Sequence, residues 1–201
     1  MMPLLALIVA YLLGAIPFGY LLVKWKTGSD VRASGSGNIG ATNVLRTTGK
    51  IAGVATLLLD GAKGYIAVLL AGRFTDQSPL WMSLAALAVM AGHAYPVFLR
   101  FQGGKAVASF VGAFLRLTLV PMLAVLLVFV VVVVWTRHIS LGSVIAAGTF
   151  PLAVWLILQP PSPVWLAALI AGAFIIYRHQ ENLRRLRQGK EHRFNWGGRP
   201  S

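Results

Sequence analysis

Between two long apolar stretches the chain places Ser34-Gly35-Ser36-Gly37-Asn38-Ile39-Gly40-Ala41-Thr42-Asn43-Val44-Leu45-Arg46. Hydroxyls, amides, small residues and one guanidinium in a single loop suit capture of an anion, above all a phosphate. Glycines such as Gly37 free successive backbone N–H groups to form a nest, and Ser36, Asn38, Thr42, Asn43 and Arg46 supply donors around it. The run Gly35 to Gly40 also fits G-x-G-x-x-G, with the acidic Asp60 about 20 residues on. A dinucleotide fold needs a strand before that motif and a βαβ unit around it. Here an apolar helix precedes it and Asp60 lies inside an apolar run, so only the phosphate-nest content carries over.

Three further clusters have chemical potential. Gly103-Gly104-Lys105 follows Arg100 and is expected to open a helix, whose N-terminal N–H groups and dipole favour an anion, with Lys105 as a mobile point charge. It is not a Walker motif, because the first glycine is missing and Ala106 replaces Ser or Thr. Ser140 and Ser143 flank Gly142 where another helix should begin; capping is the plain role for either, a site role the alternative. In His179-Gln180-Glu181-Asn182, His179 and Asn182 are three apart and share a helical face, while Glu181 points elsewhere and is placed to pair with Arg184 or Arg185.

Asp60 and Lys63, also three apart, read as an ion pair turned into a helix bundle, since either alone would be costly in lipid. His93 reads as a hydrogen-bonded packing residue. No nucleophile elbow G-x-S-x-G and no H-E-x-x-H occurs, nor does any histidine have an aspartate five residues later. With five acidic residues and no cysteine, no metal site and no cofactor is expected.

The elements that must hold these groups are membrane helices. The chain of 201 residues is 57% hydrophobic and only 11% charged, with a mean hydropathy of +0.75, against about 25% charged residues in soluble domains. Seven apolar segments can be drawn, at residues 3–23, 51–72, 80–99, 106–120, 121–136, 141–158 and 164–177. The first lacks a basic start and a small-residue cleavage site, so it is expected to be a span rather than a signal peptide. Segments 106–120 and 121–136 are split because Arg116 would be costly in mid-membrane and Pro121 interrupts a helix.

Charge sets the expected topology. Lys24, Lys26, Arg32, Arg46, Lys50, Arg100, Lys105, Arg137, Arg178, Arg184, Arg185, Arg187, Lys190, Arg193 and Arg199 fall on one side, fifteen of the eighteen basic residues. Arg73 and Arg116 fall on the other. By the positive-inside bias this predicts an all-α polytopic membrane protein of about seven transmembrane helices, N-terminus outside and C-terminus cytoplasmic. The expected organisation is a single integral membrane domain over residues 1–201, with a short polar tail from about residue 194. The net charge of +13 is explained by topology and lipid headgroups, so nucleic acid is not an expected partner. The polar clusters all fall on the cytoplasmic side.

In order and spacing, Ser34 to Arg46, His93 to Lys105 and Tyr177 to Asn182 resemble the bacterial acyl-phosphate:glycerol-3-phosphate acyltransferases, over nearly the whole chain. The resemblance implies a multi-pass enzyme of the bacterial cytoplasmic membrane with its active site facing the cytoplasm. It would move a fatty acyl group from acyl phosphate to the 1-hydroxyl of glycerol 3-phosphate, giving lysophosphatidic acid and phosphate, the first acylation in phospholipid synthesis. Ser36, Asn38, Thr42, Asn43 and Arg46 match the family's first polar loop, Gly103, Gly104 and Lys105 its glycine-lysine turn. Ser143 matches its serine near the sixth helix, and His179 and Asn182 match a motif tied to catalysis. Membrane lipid and the enzyme that supplies acyl phosphate are then the expected partners.

The residues fit such chemistry. Both substrates carry phosphates, and the acyl group arrives activated, so no protein nucleophile is needed. The base is left open between His179 and the donor's own phosphate. The alternative reading, a transporter of small phosphorylated solutes, would use the same anion nests but needs polar groups through the membrane depth and access from both faces.

Overall fold

The computed structural model describes residues 1–194. Arg199 and all of the polar tail but Phe194 lie outside the described residues. Ten α-helices are described: α1 Met2–Ala15, α2 Phe18–Thr27, α3 Ala41–Thr48, α4 Lys50–Phe74, α5 Pro79–Ala94, α6 Val107–Leu117, α7 Leu119–Thr136, α8 Ile139–Leu158, α9 Ser162–Arg178 and α10 Gln180–Arg187. No strand occurs among the described residues.

The first apolar segment is broken, which its hydropathy does not reveal. Pro17 has no N–H to give, and the chain leaves helical geometry at Ile16 (ψ 113°) before α2 resumes. The freed Ile16 carbonyl is taken by the Lys63 ammonium at 2.9 Å. The expected split before Pro121 is present, at Thr118 between α6 and α7. Arg116 stands in the last turn of α6 and donates to the Gln77 side chain at 2.8 Å, in the α4–α5 loop.

α6 is shorter than expected from segment 106–120. Ala106 has φ +60° and Thr118 an extended φ, which limit the helix to 11 residues. A span needs about 20 residues. Five spans are long and apolar enough to cross a membrane, counting Met2–Thr27 as one, and six if α9 and α10, bent by 54°, count as one more.

Small residues let these helices approach closely, as membrane packing requires when both lipid and protein are apolar. α1 lies on α5, where a methyl group added at Gly92 would fall on the Tyr11 carbonyl. α4 lies on α6, where one added at Gly112 would fall on the Gly61 carbonyl. α8 packs between α7 and α9, and α5 meets α9, joining the two groups of helices. In the middle, Phe110, Phe114 and Phe150 meet with ring centroids 4.9–5.1 Å apart. The outer surface stays apolar, with Leu58, Leu127 and Leu156 exposed, as lipid-facing helices require.

Candidate functional site

Four connections meet at one end of the bundle: the α2–α4 loop carrying α3, the α5–α6 turn, the α7–α8 turn and the α9–α10 bend. They surround a cavity of about 430 Å³ whose walls include Ser36, Asn38, Thr42, Asn43, Arg46, Lys105, Ser143, His179 and Asn182. Residues 36 to 182 in sequence are thus brought into one basin. Gly37, Gly103 and Gly104 are not in its wall.

Asn43 organises the first loop. It is 1% exposed. Its amide nitrogen donates to the carbonyls of Val31 (3.2 Å), Ser34 (3.1 Å) and Asn38 (2.8 Å), and its oxygen accepts from the Ser36 N–H at 2.8 Å. A saturated amide of this kind shapes the loop rather than offering donors to a ligand. Gly37 turns the chain at φ +69°, its N–H held by Ser34. Asn38 accepts from the Gly40 N–H at 2.8 Å, and Gly40 then caps α3. The unpaired N–H groups at the start of α3, with Arg46 one turn further on, are what this loop presents to an anion.

The glycine-lysine turn works differently from the expected open nest. The N–H groups of Gly103 and Gly104 are already given to the carbonyls of Ala94 (3.2 Å) and His93 (3.1 Å). A side chain at Gly104 would strike the His93 ring. The carbonyls of the turn accept from the Arg178 guanidinium, at 2.9 Å from Gly104, and Arg178 also lies over the Tyr95 ring at 5.1 Å. The turn is therefore a tightly backed mount whose purpose is to aim Lys105. The Lys105 ammonium donates to the Asn182 amide oxygen. Burial pulls its pKa down to about 8, with Arg185, Arg178 and Arg46 acting the same way and Glu191 opposing.

His179 stands at the bend between α9 and α10 and is buried. Its Nδ1 lies 2.8 Å from the Ile175 carbonyl. A carbonyl only accepts, so the proton is assigned to Nδ1 and Nε2 keeps its lone pair. Burial and the Lys105 charge push the imidazole pKa down to about 4. The ring is neutral at physiological pH.

Neither serine of the α7–α8 region caps its helix. Ser143 donates back to the Ile139 carbonyl at 2.9 Å, and the buried Ser140 hydroxyl faces the Glu191 carboxylate. Both line the cavity. Glu181 pairs with Arg184 at 2.9 Å on the exposed side of α10.

Sequence reasoning did not assign Asp60, His93, Arg185 or Glu191 to the basin, yet all four line it. Asp60 is indeed paired with Lys63, at 2.8 Å and almost fully buried. The His93 Nδ1 lies 3.6 Å from the same carboxylate. The i, i+3 pair was visible; the rotation that turns its edge toward the cavity was not.

A second, almost wholly apolar cavity of about 500 Å³ adjoins the basin. It runs between α4, α6 and α7 and shares Leu57, Val107, Ala108, Phe129 and Ser143 with it.

A family model described as glycerol-3-phosphate acyltransferase matches residues 4–189. The glycerol-3-phosphate acyltransferase of Geobacter sulfurreducens is 47% identical over 186 residues, covering 92% of this chain and 94% of that one. The crystal structure of PlsY, an integral membrane glycerol 3-phosphate acyltransferase, in its glycerol 3-phosphate form, is 41% identical. It superposes with a TM-score of 0.92 over 97% of this chain and 96% of that one. The same enzyme in its lysophosphatidic acid form gives 39% and 0.89, with the same coverage.

Proposed function

The chain belongs to the glycerol-3-phosphate acyltransferase family, and from that premise we propose how its basin does the work: an acyl group passes from acyl phosphate to the 1-hydroxyl of glycerol 3-phosphate, giving lysophosphatidic acid and phosphate. The observation that carries this reading is the junction of the two cavities. A basic, polar basin suits two phosphates, and it opens at Leu57, Phe129 and Ser143 onto an apolar groove that suits an acyl chain. The reacting carbonyl would lie where they meet.

In this mechanism Arg46, Lys105 and the N–H groups at the start of α3 hold phosphate and offset the charge that develops on it. The 1-hydroxyl oxygen attacks the acyl carbon. The bond from that carbon to the phosphate oxygen breaks, and phosphate leaves with the electron pair. The hydroxyl proton goes to the departing phosphate. A His179 pKa of about 4 makes the ring a poor proton sink but a good acceptor through Nε2, so its part is to orient the hydroxyl. Ser143 and Asn182 complete the positioning, Asn182 through its bond to Lys105. Asn43 and the two glycines of the turn act by holding the loops that carry these groups.

The charge distribution along the chain supports a cytoplasmic-membrane enzyme with this basin on the cytoplasmic side. Transport is set aside, because the relatives are named as acyltransferases and the polar side chains of the basin other than Asp60 stand at helix ends or in the connections between helices.

The test uses purified protein in detergent with glycerol 3-phosphate and palmitoyl phosphate, palmitoyl-CoA or palmitoyl carrier protein as donor. Phosphate and lysophosphatidic acid formed one to one, with acyl phosphate alone, are the expected result. Product only with a thioester would overturn the donor, and no product with any donor would overturn the reaction.

A further inference from the structure

Lys105 stands on a support that reaches back among the helices. Gly104, just before it, lies directly on the His93 imidazole, where an added methyl group would fall on Nε2. The His93 carbonyl also accepts from the Gly104 N–H at 3.1 Å, so one residue grips the turn through both its backbone and its ring. The ring is held in turn. His93 is 3% exposed. Its Nδ1 lies 3.6 Å from the Asp60 carboxylate and has no hydrogen-bond partner among the described residues. A carboxylate attracts only an N–H, so the Nδ1 proton is assigned to that side.

Asp60 is fixed by the Lys63 ammonium at 2.8 Å, which also donates to the Ile16 carbonyl at 2.9 Å and lies 5.7 Å from the centre of the Phe18 ring. Contacts thus run from the break at Ile16–Pro17 through Lys63, Asp60 and His93 to Gly104. Lys105 is braced from its other side by α6, which begins two residues on. Ser109 of α6 donates to the Asp60 backbone carbonyl at 3.0 Å, and a methyl group at Gly64 would fall on the Ser109 carbonyl. Both braces end on one turn of α4. An apolar ring at His93 would fill the same space without burying a carboxylate and an ammonium, which are costly among apolar helices. What the imidazole adds is an orientation fixed by charge.

We propose that His93 is a positioning residue for the acyl transfer: oriented by Asp60, its ring sets where the Gly103–Lys105 turn stands, and so where the Lys105 ammonium enters the basin. The proposal rests on Lys105 holding phosphate in the reaction described above. His93 acts through Lys105 and not on the substrate. Asp60 and Lys63 keep the ring from turning. A group misplaced by about 1 Å costs about 100-fold in rate, so a support of this kind matters as much as the group it carries.

The experiment uses the full chain in detergent, with Tm measured for each variant and kcat/KM for glycerol 3-phosphate measured with palmitoyl phosphate as donor. His93→Ala is made in the wild type and in Lys105→Met. With Lys105 present it is expected to cost about 10- to 100-fold. In Lys105→Met it should cost less than about threefold, because the group it aims is gone. Equal losses in the two backgrounds would overturn the proposal, since a ring that only stabilises the fold is missed in both. The pH profile gives a second reading. In His93→Ala the Lys105 ammonium, less tightly held, should titrate above its value of about 8 and carry the alkaline limb of kcat/KM upward. A limb that stays in place while activity falls would also overturn the proposal, because Lys105 would not have moved. A third reading exchanges sizes: Gly104→Ala should be costly alone and should recover part of its activity when His93→Ala makes room for the methyl group. A double variant no more active than Gly104→Ala would mean that the turn does not rest on the ring. While the wild type forms lysophosphatidic acid, these outcomes decide His93 alone; a wild type that forms none sinks the functional reading and this proposal with it.

Discussion

The Lys105 ammonium donates to the Asn182 amide oxygen, closing the basin between the α5–α6 turn and the first turn of α10. The bond spans 77 residues of sequence and joins two groups that had been read as separate clusters. It gives Asn182 a definite orientation, oxygen toward Lys105 and nitrogen toward Glu191. Each partner therefore positions the other, and their substitutions should not add. A hydrogen bond to a charged group contributes about 1.5–3 kcal/mol, so Lys105→Met or Asn182→Ala alone should cost about 10- to 150-fold in kcat/KM. The double variant should cost clearly less than the product of the two, with a coupling of about 0.5–3 kcal/mol. Strict additivity in a double-mutant cycle would separate their roles.

The pH profile should carry the Lys105 signature. The ammonium binds phosphate only when protonated, and its pKa is about 8. Its contribution is therefore full well below pH 8 and is lost as pH rises through that value. The kcat/KM for glycerol 3-phosphate should fall above pH 8, approaching tenfold per pH unit, because this ratio reports the free enzyme. His179, with a pKa of about 4, stays neutral from pH 5 upward and should add no acid limb there. Lys105→Arg keeps its charge at every accessible pH and should move the alkaline limb out of range. A limb that persists unchanged in that variant belongs to another group.

Asn43 is a loop-shaping residue, and its substitution should look structural before it looks catalytic. Asn43→Asp removes the amide donor and turns a carboxylate toward the carbonyls of Val31, Ser34 and Asn38. Each buried group left without a partner costs about 1–3 kcal/mol. Fast amide exchange at Ser36 and neighbouring positions should accompany a rise in KM of about tenfold or more, with the transmembrane helices still folded. Slow exchange preserved at these amides would mean that the loop does not depend on Asn43.

Periodicity and composition made the helices legible, together with the break near Thr118, because Arg116 and Pro121 mark it directly. The interruption at Ile16–Pro17 was hidden in a run whose hydropathy never falls. The polar clusters were recognisable from residue type, and their meeting at one end followed from charge asymmetry. What remained hidden depends on helix rotation and on backbone partners. Helices that are apolar all round do not disclose which face Asp60 and His93 present. Nor does Gly103-Gly104 disclose that its N–H groups are already spent on Ala94 and His93. Glu191 was hidden for a third reason: one left-handed residue, Gly189, carries it out of a basic tail and back into the site.

The apolar groove predicts how acyl-chain length is read. Leu57 lies at its junction with the basin, and Ala62 lines it further along α4, about 7.5 Å away at 1.5 Å per residue. A chain lying there passes Ala62 only if it is long enough. Ala62→Phe should plug the groove beyond that point. Displacing about three methylenes, at about 0.8 kcal/mol each, costs about 2.4 kcal/mol, roughly sixtyfold in kcat/KM for a long donor. Donors too short to reach Ala62 should be nearly unaffected, so the ratio of butanoyl to palmitoyl phosphate turnover should rise by that factor, with KM for glycerol 3-phosphate unmoved. An equal loss for both donors would mean that the chain lies elsewhere, along the lipid-facing side of the bundle. A rise in KM for glycerol 3-phosphate would mean instead that the substitution had reached the basin through Leu57 and Ser143.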